Sequence, residues 1–292
     1  MDTLFAEGSM QRRRFLQLGA LGLAAAGMGV TALAEDNAFR PRQEEAGKIP
    51  GLQLYTLRSL MKKNVAGTLA AVAEIGYREV EFSDYFGLKP AEVRRMLDAE
   101  GLSAPAVHVP LQILETQLEQ ALEAAHRIGH RYLVLPWLEE RQRGTENFKR
   151  LAERCNEWGE KCRAAGLRFA YHNHDFEFSA DGGFVPYDWL LENTDPDLVS
   201  FEMDLFWIAK ANREPEGYFK KYPGRFPLWH LKDMDANGNM VDVGAGVIDF
   251  KKIILGADMA GFEFGFVEHD QPDDPLRTAS TGLAAVRSWE RG

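Results

Sequence analysis

An α/β protein built as a closed (β/α)8 barrel is the fold this sequence predicts, and three observations carry the prediction. An amphipathic helical pattern that stops at a glycine, followed within a few residues by a short apolar run, recurs along the chain. About 250 residues, the usual length of such a barrel, are available for it. Imidazoles and carboxylates gather where the apolar runs end, as they do where strands open onto a shared mouth.

The repeating unit is clearest at Gly76, Gly101, Gly129, Gly166 and Gly261, each followed closely by a strand-like run such as 79–82 or 132–135. Glycine at those points suits a helix end that needs a left-handed residue. Successive spacings of 25, 28 and 37 residues for the first four fit βα units better than solenoid repeats. Strands are expected near 50–55, 78–82, 104–109, 131–136, 168–173, 198–204, 226–231 and 262–268. The intervening helices are expected near 65–75, 90–100, 113–128, 145–165, 186–193, 214–221 and 249–259, with a last one near 276–289. Strict alternation of the two types favours a closed parallel sheet.

The first residues read as something other than fold. Arg12-Arg13-Arg14-Phe15-Leu16 opens an uncharged, apolar and small-residue run over 18–33, and Ala32-Leu33-Ala34 offers a cleavage site. Residues 1–34 are therefore expected to be a twin-arginine signal peptide, giving a periplasmic or secreted protein. The apolar run is shorter than the ~20 residues of a membrane span, so no membrane anchor is expected to remain after cleavage. Residues 35–47 are polar and aperiodic and read as a flexible segment, leaving 48–292 as the single barrel domain.

Removing 34 of 292 residues leaves 258. The removed piece carries three arginines against two acids, so the net charge of −10 becomes −11. An acidic chain of this kind argues against a nucleic-acid partner. Cys155 and Cys162 are the only cysteines. They lie seven residues apart in a helical pattern, ~10.5 Å along the axis, too far to bridge. Gly244-Ala245-Gly246 lacks the third glycine and the strand–turn–helix setting of a dinucleotide site, so no nucleotide cofactor is expected.

Strand ends carry the chemistry. Five of the seven histidines fall there: His108, His172, His174, His230 and His269. With them stand Glu79, Glu81, Glu177, Glu202, Asp204, Lys232, Asp233 and Glu268. Mixed carboxylates and imidazoles without cysteine suit one divalent ion in an open, catalytic site. Asp204, His230 and Glu268 come from neighbouring strands and can converge on it, with Glu177 or His172 as a fourth ligand. A carboxylate-rich shell favours Mn²⁺ or Mg²⁺ over Zn²⁺ or Co²⁺. Such an ion polarises a carbonyl or hydroxyl oxygen, and a neighbouring group can then move a proton. Glu81, Glu177, His174 and Lys232 are the candidates for that task. His108, Tyr55, Trp137 and Trp207 are candidate substrate contacts, since aromatic rings stack on sugars.

From about Ile49 onward these residues resemble the sugar phosphate isomerase/epimerase family, xylose isomerase-like TIM barrels that also include inosose dehydratases and endonuclease IV. The marks are Tyr171-His172-Asn173-His174 with Glu177-Phe178, Glu202-Met203-Asp204 with Trp207, and His230-Leu231-Lys232-Asp233. The run 243–250 and Val267-Glu268 complete them. The resemblance implies a divalent ion held by Glu, Asp, His and Glu of the fifth to eighth strands. The last three map onto Asp204, His230 and Glu268. His172 stands where epimerases place their first glutamate, and Glu177 follows five residues later. The chain thus departs from the pattern in which one glutamate on each face of the sugar shuttles the proton.

The expected function is a metal-dependent sugar isomerase or epimerase that removes a proton next to a sugar carbonyl. A lyase, dehydratase or hydratase acting on a keto-sugar or keto-glycoside is the alternative, because the same enediolate can expel a neighbouring substituent. A secreted sugar-binding protein without chemistry is a third reading. The partner in each case is a small carbohydrate, and the resemblance also implies a homodimer.

Overall fold

Period-two alternation decides which residues enter the barrel. The computed structural model of the chain describes residues 50–289, so the signal-peptide and N-terminal-segment readings lie outside the described residues. Among the described residues there are ten strands: β1 (Gly51–Gln53), β2 (Glu79–Phe82), β3 (Ser103–His108), β4 (Tyr132–Leu135), β5 (Arg168–His172), β6 (Val199–Asp204), β7 (Leu228–Leu231), β8 (Asp233–Met234), β9 (Met240–Val241) and β10 (Phe264–Val267). Eight of them close a parallel barrel in the order β1-β10-β7-β6-β5-β4-β3-β2. All eight lie where the sequence pattern places strands.

Local chemistry explains most of the helix boundaries. Asn64 caps Val65–Ile75 by accepting the Gly67 N–H, and Gly76 ends it at φ 116°. Pro90, Pro186 and Pro215 open their helices, where the missing N–H costs nothing. In Thr145–Ala164 the buried residues recur every three to four positions from Phe148 to Cys162. Cys155 and Cys162 belong to that buried stripe and are free thiols.

The structure differs from the sequence expectation in several places, including short helices at Arg58–Met61 and Leu205–Lys210 that the pattern does not place. Gln117, at φ −142° and ψ 28°, divides the expected helix 113–128 into Leu111–Thr116 and Leu118–Ile128. The apolar spacing Leu114, Leu118, Leu122 runs unbroken through that point, so periodicity hides the break. The expected helix 249–259 is likewise two short ones, Phe250–Ile254 and Ala257–Ala260. The hairpin β8–β9 is too short for alternation to reveal, although Asn237-Gly238 with Gly238 at φ 82° is its turn signal.

Inside the barrel the side chains stack in layers. A lower apolar layer holds Ala106, Tyr132, Val134, Ala170, Leu228 and Phe266. Two residues further along the same strands stand His108, His172 and His230, with Glu81 and Glu202 beside them, all buried or nearly so. The outward residues Phe169, Tyr171, Phe201, Met203 and Trp229 pack in the larger core shared with the helices. Alternation therefore converts a tight apolar plug into a polar floor within one step.

Gly51 marks how tightly the plug is packed. A Cβ there would lie 2.7 Å from the Phe266 ring and 3.0 Å from the Glu79 carbonyl oxygen. Gly51→Ala is expected to destabilise the barrel by roughly 1–3 kcal/mol through overpacking. Urea unfolding measures this, and an unchanged midpoint would show that the ring moves aside freely.

Candidate metal centre at the barrel mouth

Asp204 leaves β6 as the cap of the helix Leu205–Lys210. Its Oδ1 accepts the N–H groups of Phe206 (3.0 Å) and Trp207 (2.9 Å). Oδ2 is thereby turned toward the neighbouring strands, 3.0 Å from Lys232 Nζ. Asn173, just past β5, accepts the Asp204 N–H through Oδ1 at 3.1 Å and ties the two strand ends together. Asp204, His230 and Glu268 each bring one ligand atom into a common group within 4.8 Å of one another, as expected from sequence.

A second group shares His230: His108, His172, Glu202 and His230. Glu202 Oε2 lies 2.9 Å from His108 Nε2, 3.1 Å from His172 Nδ1 and 3.2 Å from His230 Nε2. Glu81 Oε2 is 2.6 Å from His230 Nε2 and accepts from Gln53 Nε2 at 2.8 Å. Burial favours a neutral Glu202 carboxyl, but His230 and the three imidazole hydrogen bonds outweigh it and hold the group well below its usual range. Burial and the Glu202 charge push Glu81 up to about 7. Glu202 is the member of this site to which the sequence reading assigns no role.

The donor set fits a cation. Asp204 Oδ2, His230 Nδ1 and Glu268 Oε2 make no well-aligned hydrogen bond, although Lys232 Nζ stands 3.0 and 2.9 Å from the two carboxylate oxygens and His230 Nδ1 2.6 Å from Glu268 Oε2. Buried polar atoms in this state are costly, and a divalent ion is the partner that carboxylate and imidazole together accept. Lys232 supplies part of the compensation, with Nζ 2.9 Å from Glu268 Oε2 and 2.8 Å from Asp270 Oδ1. Burial opposes its charge, but Asp204, Glu268 and Asp270 raise its pKa well above the ordinary lysine value.

A cavity of about 620 Å³ opens over this floor. His108, His172, Lys232 and Glu268 line its base. Tyr55, Trp137, Trp207 and His174 line its walls, so all four candidate substrate contacts face it. The His174 ring is packed against Trp137 (centroids 4.5 Å apart) and Trp207 (5.3 Å). Burial, then the charges of His172 and Lys232, push its pKa well below the usual range, so it is a neutral imidazole at pH 7.

Four expected residues do not line the cavity: Asp204 and His230 are fully buried beneath its base, and Glu81 and Glu177 lie further from it. Glu81 is fully buried beneath the imidazoles. Glu177 lies behind β5: its Oε1 accepts from the outward-facing Tyr171 hydroxyl (2.8 Å) and its Oε2 from the His174 N–H (2.8 Å). The short 3-10 turn Phe176–Phe178 rotates it away from the barrel axis. Glu177 is thus in neither ligand group, whereas His172 Nε2 is 3.8 Å from Asp204 Oδ2.

The glycine-rich loop also has an internal partner. Asp233 Oδ2 accepts the N–H groups of Gly244 (2.9 Å) and Gly246 (3.0 Å). A Cβ on Gly246 would fall 2.2 Å from Asp233 Oδ1. The glycine is there for the close approach.

Residues 69–288 match the model of the xylose isomerase-like TIM barrel family. The chain belongs to that family. Within it, an inosose dehydratase of Lacticaseibacillus casei is 22% identical over 244 residues, covering 69% of this chain and 80% of that protein. A solved sugar phosphate isomerase/epimerase of Parabacteroides distasonis ATCC 8503 is 25% identical with a TM-score of 0.72, over 84% of this chain and 96% of that one. The IOLI protein, solved with a bound zinc atom, shares the fold at 16% identity and a TM-score of 0.67, over 82% of this chain and 98% of its own.

Burial pushes the Glu177 carboxyl from 4.5 up to about 8, against the Tyr171 hydrogen bond. A carboxyl raised on folding contributes stability that is complete below about pH 4.5 and lost as the pH rises through about 8. Thermal melts in chelator should therefore show the wild type losing stability relative to Glu177→Gln across that window. Parallel curves would mean that Glu177 stays ionised.

Proposed function

We propose that this protein is a divalent-metal-dependent enzyme that removes a proton next to the carbonyl of a keto-sugar or related polyol, and that elimination is the outcome. The observation that carries the reading is a cation-fitting group, Asp204, His230 and Glu268, that reaches the cavity through Glu268, with the neutral imidazole of His174 lining the same cavity. When bound, the ion supplies Lewis acidity toward the substrate carbonyl.

The chain's own residues supply the rest. His174, held between aromatic rings and short of protons, is the acceptor for the substrate C–H proton. Lys232, a buried ammonium at the cavity base, stabilises negative charge developing on the substrate oxygen. The rings of Tyr55, Trp137 and Trp207 hold sugar faces and limit water. Glu177 and Glu81 take no part, since Glu177 is engaged behind β5 by the Tyr171 hydroxyl and the His174 N–H, and Glu81 by His230 and Gln53. The expected isomerase or epimerase needs a second proton carrier on the opposite sugar face, and the two-glutamate arrangement for it is absent from the described residues. Expulsion of a neighbouring hydroxyl or glycosyl group can be served by one residue: His174 takes the C–H proton and, protonated, returns it to the departing oxygen, so that water or the alcohol leaves as the C=C bond forms. The inosose dehydratase relative supports the same outcome.

Export belongs to the same reading. The twin-arginine leader read from the sequence puts this chemistry in the periplasm, where free sugar phosphates are scarce. Replacing Arg12 and Arg13 by lysine should leave the product in the cytoplasmic fraction; unchanged export would remove this part of the proposal.

Metal-loaded protein incubated in D2O with an inosose or a 3-keto-glycoside should yield an unsaturated ketone with loss of the β-substituent. Solvent deuterium in a recovered substrate isomer, without loss of that group, would instead establish the isomerase. His174→Asn is expected to lower kcat by about 10²–10⁴-fold with little change in KM. A variant of full activity would remove His174 as the base.

A further inference from the structure

One cation on the cavity wall is held firmly in place with no acid to answer it. The 3-10 turn Glu140–Gln142 ends at Arg143, whose backbone N–H donates to the Glu140 carbonyl oxygen at 3.1 Å. Arg143 Nε donates to the Leu138 carbonyl oxygen at 2.9 Å. The guanidinium carbon stands 3.6 Å from the Phe176 ring centroid and 4.4 Å from that of Trp137. A backbone oxygen and two aromatic rings thus fix the planar head, and its two terminal nitrogens are left to find other partners. Among the described residues no carboxylate forms an ion pair with Arg143. The acid its charge does reach, Glu177, is already engaged by the Tyr171 hydroxyl and the His174 N–H.

Arg143 lines the cavity beside Trp137, Phe176 and His174. The Phe176 ring lies nearly parallel to that of His174, at 11° and with centroids 5.8 Å apart. Stacking of guanidinium on Phe176 and of Phe176 on His174 keeps the arginine carbon less than 10 Å from the imidazole. Lys232, at the cavity base, is taken up by Asp204, Glu268 and Asp270. On the walls Arg143, Arg58 and Lys62 stand against Asp84 and Asp175. A chain with a net charge of −10 therefore carries more cations than acids on the wall of its cavity.

We propose that Arg143 is a specificity-determining residue that receives a carboxylate carried by the substrate, which makes the substrate an acidic sugar and not a neutral one. This rests on the sugar reading of the cavity above and adds the substrate's charge. Two N–H groups on one edge of a guanidinium match the two oxygens of a carboxylate. A neutral hydroxyl would use the same donors at about half the strength. Because the head is already held, little side-chain freedom is lost when the anion arrives.

Calorimetric titration of the metal-loaded protein with D-glucuronate, D-glucose and D-glucose 6-phosphate tests this. Wild type should bind glucuronate about 10-fold or more tightly than glucose, with an advantage that shrinks as salt is added. Arg143→Gln should abolish the advantage and leave the response to glucose unchanged. Arg143→Lys, which keeps the charge without the fork, should retain part of it. Equal affinity of the wild type for glucuronate and glucose, or no binding of glucuronate, would overturn the proposal. So would an undiminished preference in Arg143→Gln, which would put the carboxylate on the ion. Equal weakening of both sugars in that variant would reduce Arg143 to a clamp for Trp137 and overturn it too. Glucose 6-phosphate binding more tightly than glucuronate would overturn the assignment to a carboxylate. The reaction itself is judged apart from this: if no keto-sugar is turned over but the glucuronate preference depends on Arg143, the reaction fails and the assignment of Arg143 stands.

Discussion

The architecture of the mouth depends on one buried negative charge, Glu202, and on the three imidazoles that satisfy it. An ionised carboxylate with no exposure is tolerated only when its acceptor sites are filled. Here the donors come from strands far apart in sequence: His108 is 94 residues away and His172 is 30. They meet because a closed barrel brings the same inward parity of several strands to one level. Shifting β6 by one residue would turn Glu202 outward among the helices and bring Met203 onto the polar floor. Strand register and the hydrogen-bonded polar floor are thus one constraint seen at two scales.

Charge balance at the cavity base follows from the same layer. Asp204, Glu268 and Asp270 surround Lys232 Nζ within 3.0 Å, and the lysine has no other buried carboxylate partner among the described residues. The inner pair Glu81 and Glu202 is compensated separately by imidazoles and by Gln53. His230 is the hinge between the two systems, with Nε2 toward the inner acids and Nδ1 toward the outer ones. Because one ring serves both, a positive charge placed at the outer site is felt by the inner carboxylates. The inner layer is therefore an electrostatic extension of the mouth.

Local signals made the frame legible. Glycine at helix ends, proline at helix starts and short apolar runs located all eight barrel strands, and strand-end chemistry located Asp204, His230, Glu268, His172 and Lys232. What the sequence hid has a common cause. Glu202 stands two residues before Asp204 and looks like one more acid at a strand end; its importance arises from cross-barrel neighbours that no local pattern encodes. Glu177 shows the reverse case. It lies close in sequence to the histidines, but three residues of 3-10 turn after the strand send it behind β5 to the Tyr171 hydroxyl. Alternation predicts direction only while the strand lasts.

With Glu177 engaged behind β5, Asp204 and Glu268 are the two acids of the outer group, and Lys232 stands beside both. A divalent ion held by those two carboxylates would be formally neutral, and Lys232 would add a positive charge beside it. A third carboxylate would cancel that charge. A more positive site holds an enolate-like oxygen more strongly and returns a proton to the adjacent carbon less readily. That balance suits a reaction whose next step expels a group from the neighbouring carbon, and it suits poorly a reaction that must reprotonate the carbon it has just deprotonated. On the proposed reading, the parity that turns Glu177 behind β5 also sets the charge beside Lys232, and that charge is what favours elimination.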